Sequence, residues 1–228
     1  MSADDLRLKL QLIDTCRALR GSGLTHGTSG NVSVRRDAQS LFISPTGADY
    51  DTLRPQDIPL LHLDGRWSGG LKPSSEWRFH RDIMRTRNDV NAVVHTHSTY
   101  ATALACTEQG IPAFHYMVAI AGGADIRCAP YATFGTEELS RHALAALHRR
   151  RACLLANHGV IALGRDLAEA LKLAGEVENL AAQYLTALRA GAPRLLPQEE
   201  MDRVVEKFRT YGHQDGTDDQ DLKHDSDL

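Results

Sequence analysis

Little in this chain ties it to a membrane, to nucleic acid or to an oxidising compartment. No apolar run approaches the roughly 20 residues that a bilayer-crossing helix needs. Cysteines number only four in 228 residues, and Cys16, Cys106, Cys128 and Cys153 follow no metal-finger spacing. Cys16 and Cys153 sit among apolar neighbours, which reads as reduced core thiols. A cationic surplus is also missing: 26 Lys and Arg stand against 29 Asp and Glu, for a net charge of −3. Nucleic acid is therefore not an expected partner, and the longest basic run, Arg149-Arg150-Arg151, reads as a solvated helix end. The opening residues, Met1-Ser-Ala-Asp-Asp5, are acidic and lack the marks of a secretory leader. The expectation is a cytoplasmic protein with no membrane partner. A hydrophobic fraction of 42% and a charged fraction of 24% fit one globular domain with a core of its own.

Apolar and polar residues alternate in recognisable ways along the chain. Ser2 is placed to cap a helix carrying Leu8, Leu12, Cys16 and Leu19 on one stripe, ended by Gly21-Ser-Gly23. Leu24-Thr-His-Gly-Thr-Ser-Gly-Asn31 then enters a strand, Val32-Ser-Val34. Such a loop is either an ordinary turn or a set of backbone N–H groups facing an anion. Leu41-Phe-Ile43 predicts a second strand, closed by Ser44-Pro-Thr-Gly47, and residues 58–63 a third that carries a half-buried His62. Pro73-Ser-Ser-Glu76 opens a helix with Trp77, Ile83 and Met84 inward and His80 on its face. Glu76 falls in its first turn, either as compensation of the helix dipole or as a carboxylate placed beside an anion and a metal. A small-residue helix over 98–106 and another capped by Thr136 follow. Asp166-Leu-Ala-Glu169 signals a long helix ended by Gly191 and Pro193, and a short one carries Met201, Val204, Val205 and Phe208. Residues 213–228 are acidic and poor in apolar side chains, so disorder is expected there.

The densest chemistry lies in Asn91-Ala-Val-Val-His-Thr-His97. On a strand, side chains two apart share a face, so His95 and His97 aim at one point. Neutral imidazole is a common ligand for divalent transition metals, zinc among them. Ala152-Cys-Leu-Leu-Ala-Asn-His158 ends a second apolar run in another histidine. A His-x-His pair alone also arises by chance. Three histidines at two strand ends resemble the donor set of a catalytic metal with one position open.

Taken together, Gly-Thr-Ser-Gly-Asn-Val-Ser, Ser-Pro-Thr-Gly, Pro-Ser-Ser-Glu, Val-Val-His-Thr-His, Ile-Pro-Ala-Phe-His-Tyr-Met, Ala-Pro-Tyr-Ala-Thr-Phe-Gly and Asn-His-Gly resemble, in order, the class II aldolase and adducin family, on its L-fuculose-1-phosphate aldolase side. The likeness spans residues 6–212. It implies one domain over 1–212, a three-layer α/β/α sandwich with a central, largely antiparallel sheet. It implies zinc bound by His95, His97 and His158, with Mn²⁺ or Co²⁺ as substitutes, and Glu76 as the fourth ligand and acid/base. Gly30 with Asn31, Thr46 with Gly47, and Ser74 with Ser75 would hold a phosphate. Tyr116 would reach the site from a neighbouring subunit of a C4 homotetramer, and Phe134 and Tyr211 would flank the substrate.

The implied reaction is retro-aldol cleavage of a ketose 1-phosphate, of the L-fuculose 1-phosphate type, to dihydroxyacetone phosphate and an aldehyde such as L-lactaldehyde. Ribulose 1-phosphate and its 5-deoxy and 5-methylthio forms are alternative substrates. A sugar-phosphate 4-epimerase, a dehydratase and a decarboxylase share the metal histidines, while His115-Tyr116-Met117 and Thr210-Tyr211-Gly212 favour the aldolase branch. An adducin-like structural module would keep the fold without catalysis. A Schiff-base aldolase would need Lys72, which reads as solvated.

Overall fold

The computed structural model describes residues 1–210, so the expected acidic tail and Tyr211 lie outside the described residues. One eight-stranded sheet runs through the molecule. Its strands are β1 (Asn31–Asp37), β2 (Ser40–Ile43), β3 (Leu60–His62), β4 (Trp67–Ser68), β5 (Ala92–Thr96), β6 (Cys128–Ala129), β7 (Ala152–Leu155) and β8 (Gly159–Gly164). They lie in the order β4-β3-β2-β1-β5-β8-β7-β6. Among the described residues only β6 and β7 pair in parallel, so the sheet is mixed and mostly antiparallel, as the resemblance implied. The strand over 58–63 is shorter than expected, because Pro55–Asp57 forms a 3-10 turn ahead of it.

Helices cover both faces. α1 (Ala3–Gly21), α3 (Thr99–Ala105), α5 (Leu167–Ala190) and α6 (Gln198–Thr210) pack on one side; α2 (Trp77–Thr86) and α4 (Glu137–Ala146) pack on the other. Period-two alternation divides the strands between the two cores. Val32, Val34, Ala92 and Val94 join the α1/α5 core, while Val93, Ile161 and Leu163 join Phe79, Ile83 and Met84 of α2. β5 lies between β1 and β8 and is buried along its whole length, which makes it the rigid centre of the sheet. Each fully buried large side chain such as Phe79 or Ile83 contributes about 1.5–3 kcal/mol through loss of water contact.

Capping follows the sequence in three places. Ser2 Oγ accepts from Asp5 N, Thr136 Oγ1 from Leu139 N, and Asp166 Oδ1 from Glu169 N. The second half of the expected box at Asp166 is absent, since Glu169 turns to Arg165 N and Arg151 instead. Arg150 and Arg151 likewise are not merely solvated: Arg150 pairs with Asp125 and Arg151 with Glu169. Cys16 and Cys153 are buried thiols, as expected, and burial pushes both well above the ordinary thiol range.

Candidate active site

Four side chains from three segments meet at one end of β5. His95 belongs to β5 itself and His97 follows its end, while His158 sits in the bend between β7 and β8. Glu76 immediately precedes α2, a correction to its expected place inside the first helical turn. Its backbone N–H is held by Ser74 Oγ at 3.2 Å, so Ser74 shapes the turn before the helix. The bend at His158 depends on Asn157, whose φ of 54° is left-handed and whose short polar side chain tolerates it. Gly159 then lies against the Thr96 carbonyl and the His97 ring, leaving no room for a Cβ.

The three imidazoles form a propeller. Their centroids are pairwise 4.9 Å apart and their planes cross at 81°, 78° and 79°. Glu76 and the three rings bring one donor atom each to within 4.8 Å of one another. Nδ1 of His95 donates to the Val160 carbonyl at 2.8 Å, which leaves its Nε2 lone pair facing inward. That Nε2 lies 3.0 Å from His97 Nε2 and 3.1 Å from Glu76 Oε2. Glu76 Oε1 is buried, 3.2 Å from His158 Nε2, and accepts no hydrogen bond from the described residues. Lone pairs this close repel unless a cation sits among them, so the group fits a divalent metal. Three imidazole nitrogens and a carboxylate oxygen form a donor set that suits zinc without excluding its neighbours.

Burial raises the Glu76 carboxyl, but the His95 and His158 imidazoles outweigh it and hold the group below its ordinary range. Burial, reinforced by His95 and His158, pulls His97 down to about 3, so it stays neutral and able to ligate. His80 falls to about 3 for the same first reason, with His95 adding to it.

Above this group opens a cavity of about 300 Å³. Gly30, Asn31, Thr46, Gly47, Ser74 and Ser75 line one wall, Tyr131 and Phe134 another, and Glu76, His97 and His158 the floor. Nearly every residue expected at the site is thus assembled by the fold. Two details were not legible in sequence. The N–H groups of Thr46 and Ser74 are already bonded to the Lys72 and Ser44 carbonyls, whereas those of Gly47 and Ser75 bond no described carbonyl. The side chain of Asn31 is committed to Glu76 Oε2 at 2.9 Å. Gly30 has φ of 81°, and a Cβ there would stand 2.9 Å from the His95 carbonyl, so only glycine lets the loop run this close.

Tyr116 lies elsewhere. It is 50% exposed and lines a second hollow with Phe114, His115, Leu196 and Arg203. Within one chain it is not brought to the Glu76 group. His80 was missed by sequence reasoning altogether: expected on a helix face, it is fully buried and bonded to Asn31 and Ser33.

This arrangement matches a known class. Residues 10–185 match the class II aldolase and adducin N-terminal domain family, and the chain belongs to it. It is 56% identical over 212 residues to a 5-methylthioribulose-1-phosphate/5-deoxyribulose-1-phosphate aldolase of Rhodospirillum rubrum, covering 93% of this chain and 96% of that one. It is 49% identical over 207 residues to the L-fuculose phosphate aldolase of Escherichia coli, covering 90% and 96%. A solved L-fuculose 1-phosphate aldolase superposes with a TM-score of 0.87 at 43% identity, covering 92% of this chain and 98% of that one.

Proposed function

We propose that the protein is a metal-dependent aldolase that cleaves a ketose 1-phosphate into dihydroxyacetone phosphate and a small aldehyde. The observation that carries this reading is the convergence of Glu76 with three imidazoles at the floor of a cavity walled by hydroxyl-rich turns. His95, His97 and His158 would hold the metal, Zn²⁺ first and Mn²⁺ or Co²⁺ as substitutes. Such an ion supplies a Lewis acid that polarises the substrate's carbonyl and adjacent hydroxyl oxygens, an effect of several kcal/mol.

The chain's own residues do the rest. The free N–H groups of Gly47 and Ser75 and the hydroxyls of Thr46, Ser74 and Ser75 receive the phosphate beside the start of α2, whose dipole favours an anion. That anchor orients C3 over the floor. The C3–C4 bond breaks, its electron pair stays with C3, and the C4 hydroxyl loses its proton as the aldehyde carbonyl forms. Tyr116, reaching the site from a neighbouring copy in a C4 tetramer since it stands apart from the floor of its own chain, accepts that proton on its phenol oxygen as it passes its own proton to solvent. Glu76 takes up a proton from solvent and delivers it to C3, which completes dihydroxyacetone phosphate and balances the proton lost at C4. Phe134 and Tyr131, exposed at the rim, flank the aldehyde's tail.

Among substrates we place 5-methylthioribulose and 5-deoxyribulose 1-phosphates ahead of L-fuculose 1-phosphate, on the higher identity to the Rhodospirillum relative. Four free cysteines support a reducing, cytoplasmic setting, and no described helix is long and apolar enough to cross a membrane. The test is a panel of ketose 1-phosphates assayed for dihydroxyacetone phosphate release before and after chelation and metal return. Release from no member, or release that survives complete chelation, overturns the reading. A purified protein with no affinity for divalent metal points instead to the structural role of adducin-like modules.

A further inference from the structure

Behind the floor of the cavity runs a line of buried polar side chains, Ser33, His80 and Asn31, that ends on Glu76. Ser33 and His80 are 0% exposed, Asn31 5% and Glu76 6%. Ser33 Oγ is 2.7 Å from His80 Nδ1, His80 Nε2 is 2.5 Å from Asn31 Oδ1, and Asn31 Nδ2 is 2.9 Å from Glu76 Oε2. The alternation of β1 explains how they meet: Asn31 and Ser33 point to the α2 side, where His80 sits one turn beyond Glu76.

Chemistry dictates the direction of every bond in this line. The Glu76 carboxylate can only accept, so the Asn31 amide must turn its N–H toward it and its carbonyl oxygen toward His80. That oxygen also only accepts, so the proton of the neutral imidazole is on Nε2. Nδ1 is then bare and accepts from the Ser33 hydroxyl. Opposite orientation at any member would set two acceptors or two donors face to face in a site shut off from water.

We propose that His80 is a positioning residue for the metal group: acting through Asn31, it holds Glu76 in the posture that closes the set formed by His95, His97 and His158. This rests on the reading that those four residues bind a divalent metal. His80 touches neither substrate nor metal in this role. It fixes the amide that fixes the carboxylate, and partners one step behind a ligand commonly set metal affinity by about 10- to 100-fold. When Glu76 moves aside, the amide remains held in place and ready to take the carboxylate back.

The experiment measures Zn²⁺ affinity by competition with a chelator, and the visible absorption of the Co²⁺-loaded protein, in a double-mutant cycle on the full chain. His80→Leu is expected to weaken Zn²⁺ binding about 10- to 100-fold and to alter the Co²⁺ spectrum. His80→Gln carries an amide N–H that can reach Asn31, and it is expected to recover affinity to within a few-fold. In a Glu76→Ala background, His80→Leu is expected to add less than about twofold, because its route to the metal is gone. Equal losses in both backgrounds, or none in either, overturn the proposal while leaving the metal site standing. A wild-type protein that takes up neither ion overturns the metal reading and the proposal with it. If His80→Leu does not fold, ¹⁵N NMR of the wild-type imidazole decides: a proton on Nε2 with Nδ1 bare supports the relay, and the reverse tautomer overturns it.

Discussion

The floor and the rim of the cavity are built on opposite terms. At the floor, His95 is fully buried, Glu76 is 6% exposed, and hydrogen bonds fix the His95 tautomer and the Glu76 orientation. At the rim, Phe134 is 64% exposed and Tyr131 58%. The difference teaches where each task belongs. Bond-breaking needs donors held in place before the substrate arrives, because reorganising buried charge during the reaction is costly. Selection for an aldehyde tail needs only an apolar surface of adjustable shape, worth a modest discrimination for each methylene it accepts.

Breaking the floor is expected to have the largest effect. His95→Ala removes an inward lone pair from the centre of the propeller, and steady-state cleavage is expected to fall by about 10⁴-fold, the rate equivalent of several kcal/mol. Next comes Glu76→Gln, which keeps an oxygen near the metal but no base. Exchange of the dihydroxyacetone phosphate C3 proton with solvent is expected to drop by about 10³-fold with metal still bound, and unchanged exchange would remove Glu76 from that role. Tyr116→Phe separates the two halves of the reaction: cleavage is expected to slow by about 10²-fold while exchange is spared. Equal loss of both would contradict the assignment of Tyr116 to the aldehyde side.

Two smaller effects sharpen the contrast. Ser75→Ala removes one hydroxyl from the phosphate wall and is expected to raise KM about tenfold with kcat less affected, as suits a single hydrogen bond to a charged group. The last concerns stability. Buried His80 has its pKa lowered to about 3, so between pH 6.5 and 3 the unfolded chain binds a proton that the folded chain does not. Its contribution to stability is therefore complete above about pH 6.5 and declines on acidification, by at most about 1.4 kcal/mol per pH unit. Chemical denaturation of metal-free protein across that range is expected to give a shallower decline in His80→Gln than in the wild type.

Legibility followed the same division. His95 and His97 were readable because period-two alternation survives any packing of the strand. His158 was readable as the end of a second apolar run, although only the β5–β8 pairing sets it beside them. His80 and Ser33 were not. A strand reading Asn-Val-Ser-Val looks half-solvated, and a histidine one turn into a helix looks like surface. What reverses both is the second helical layer, which covers the polar side of β1 and turns a nominal outer face into a buried network. The hydroxyl turns were visible by composition, yet which N–H groups stay free depends on pairing between segments far apart in sequence, such as Thr46 with Lys72 and Ser74 with Ser44.

The order of residues along this chain determined, without help, the donor atoms available, the alternation that aims them, the caps that start the helices and the small residues that keep the turns open. Those properties are local, governed by steric and hydrogen-bonding preferences over a few residues. Tertiary structure alone decided that four donors from three segments share one point, that Asn31 answers to Glu76, and that Tyr116 stands apart from the floor of its own chain. Such matters depend on strand order and layer packing, where burial of apolar surface across the whole sheet outweighs the preference of any single polar side chain for water.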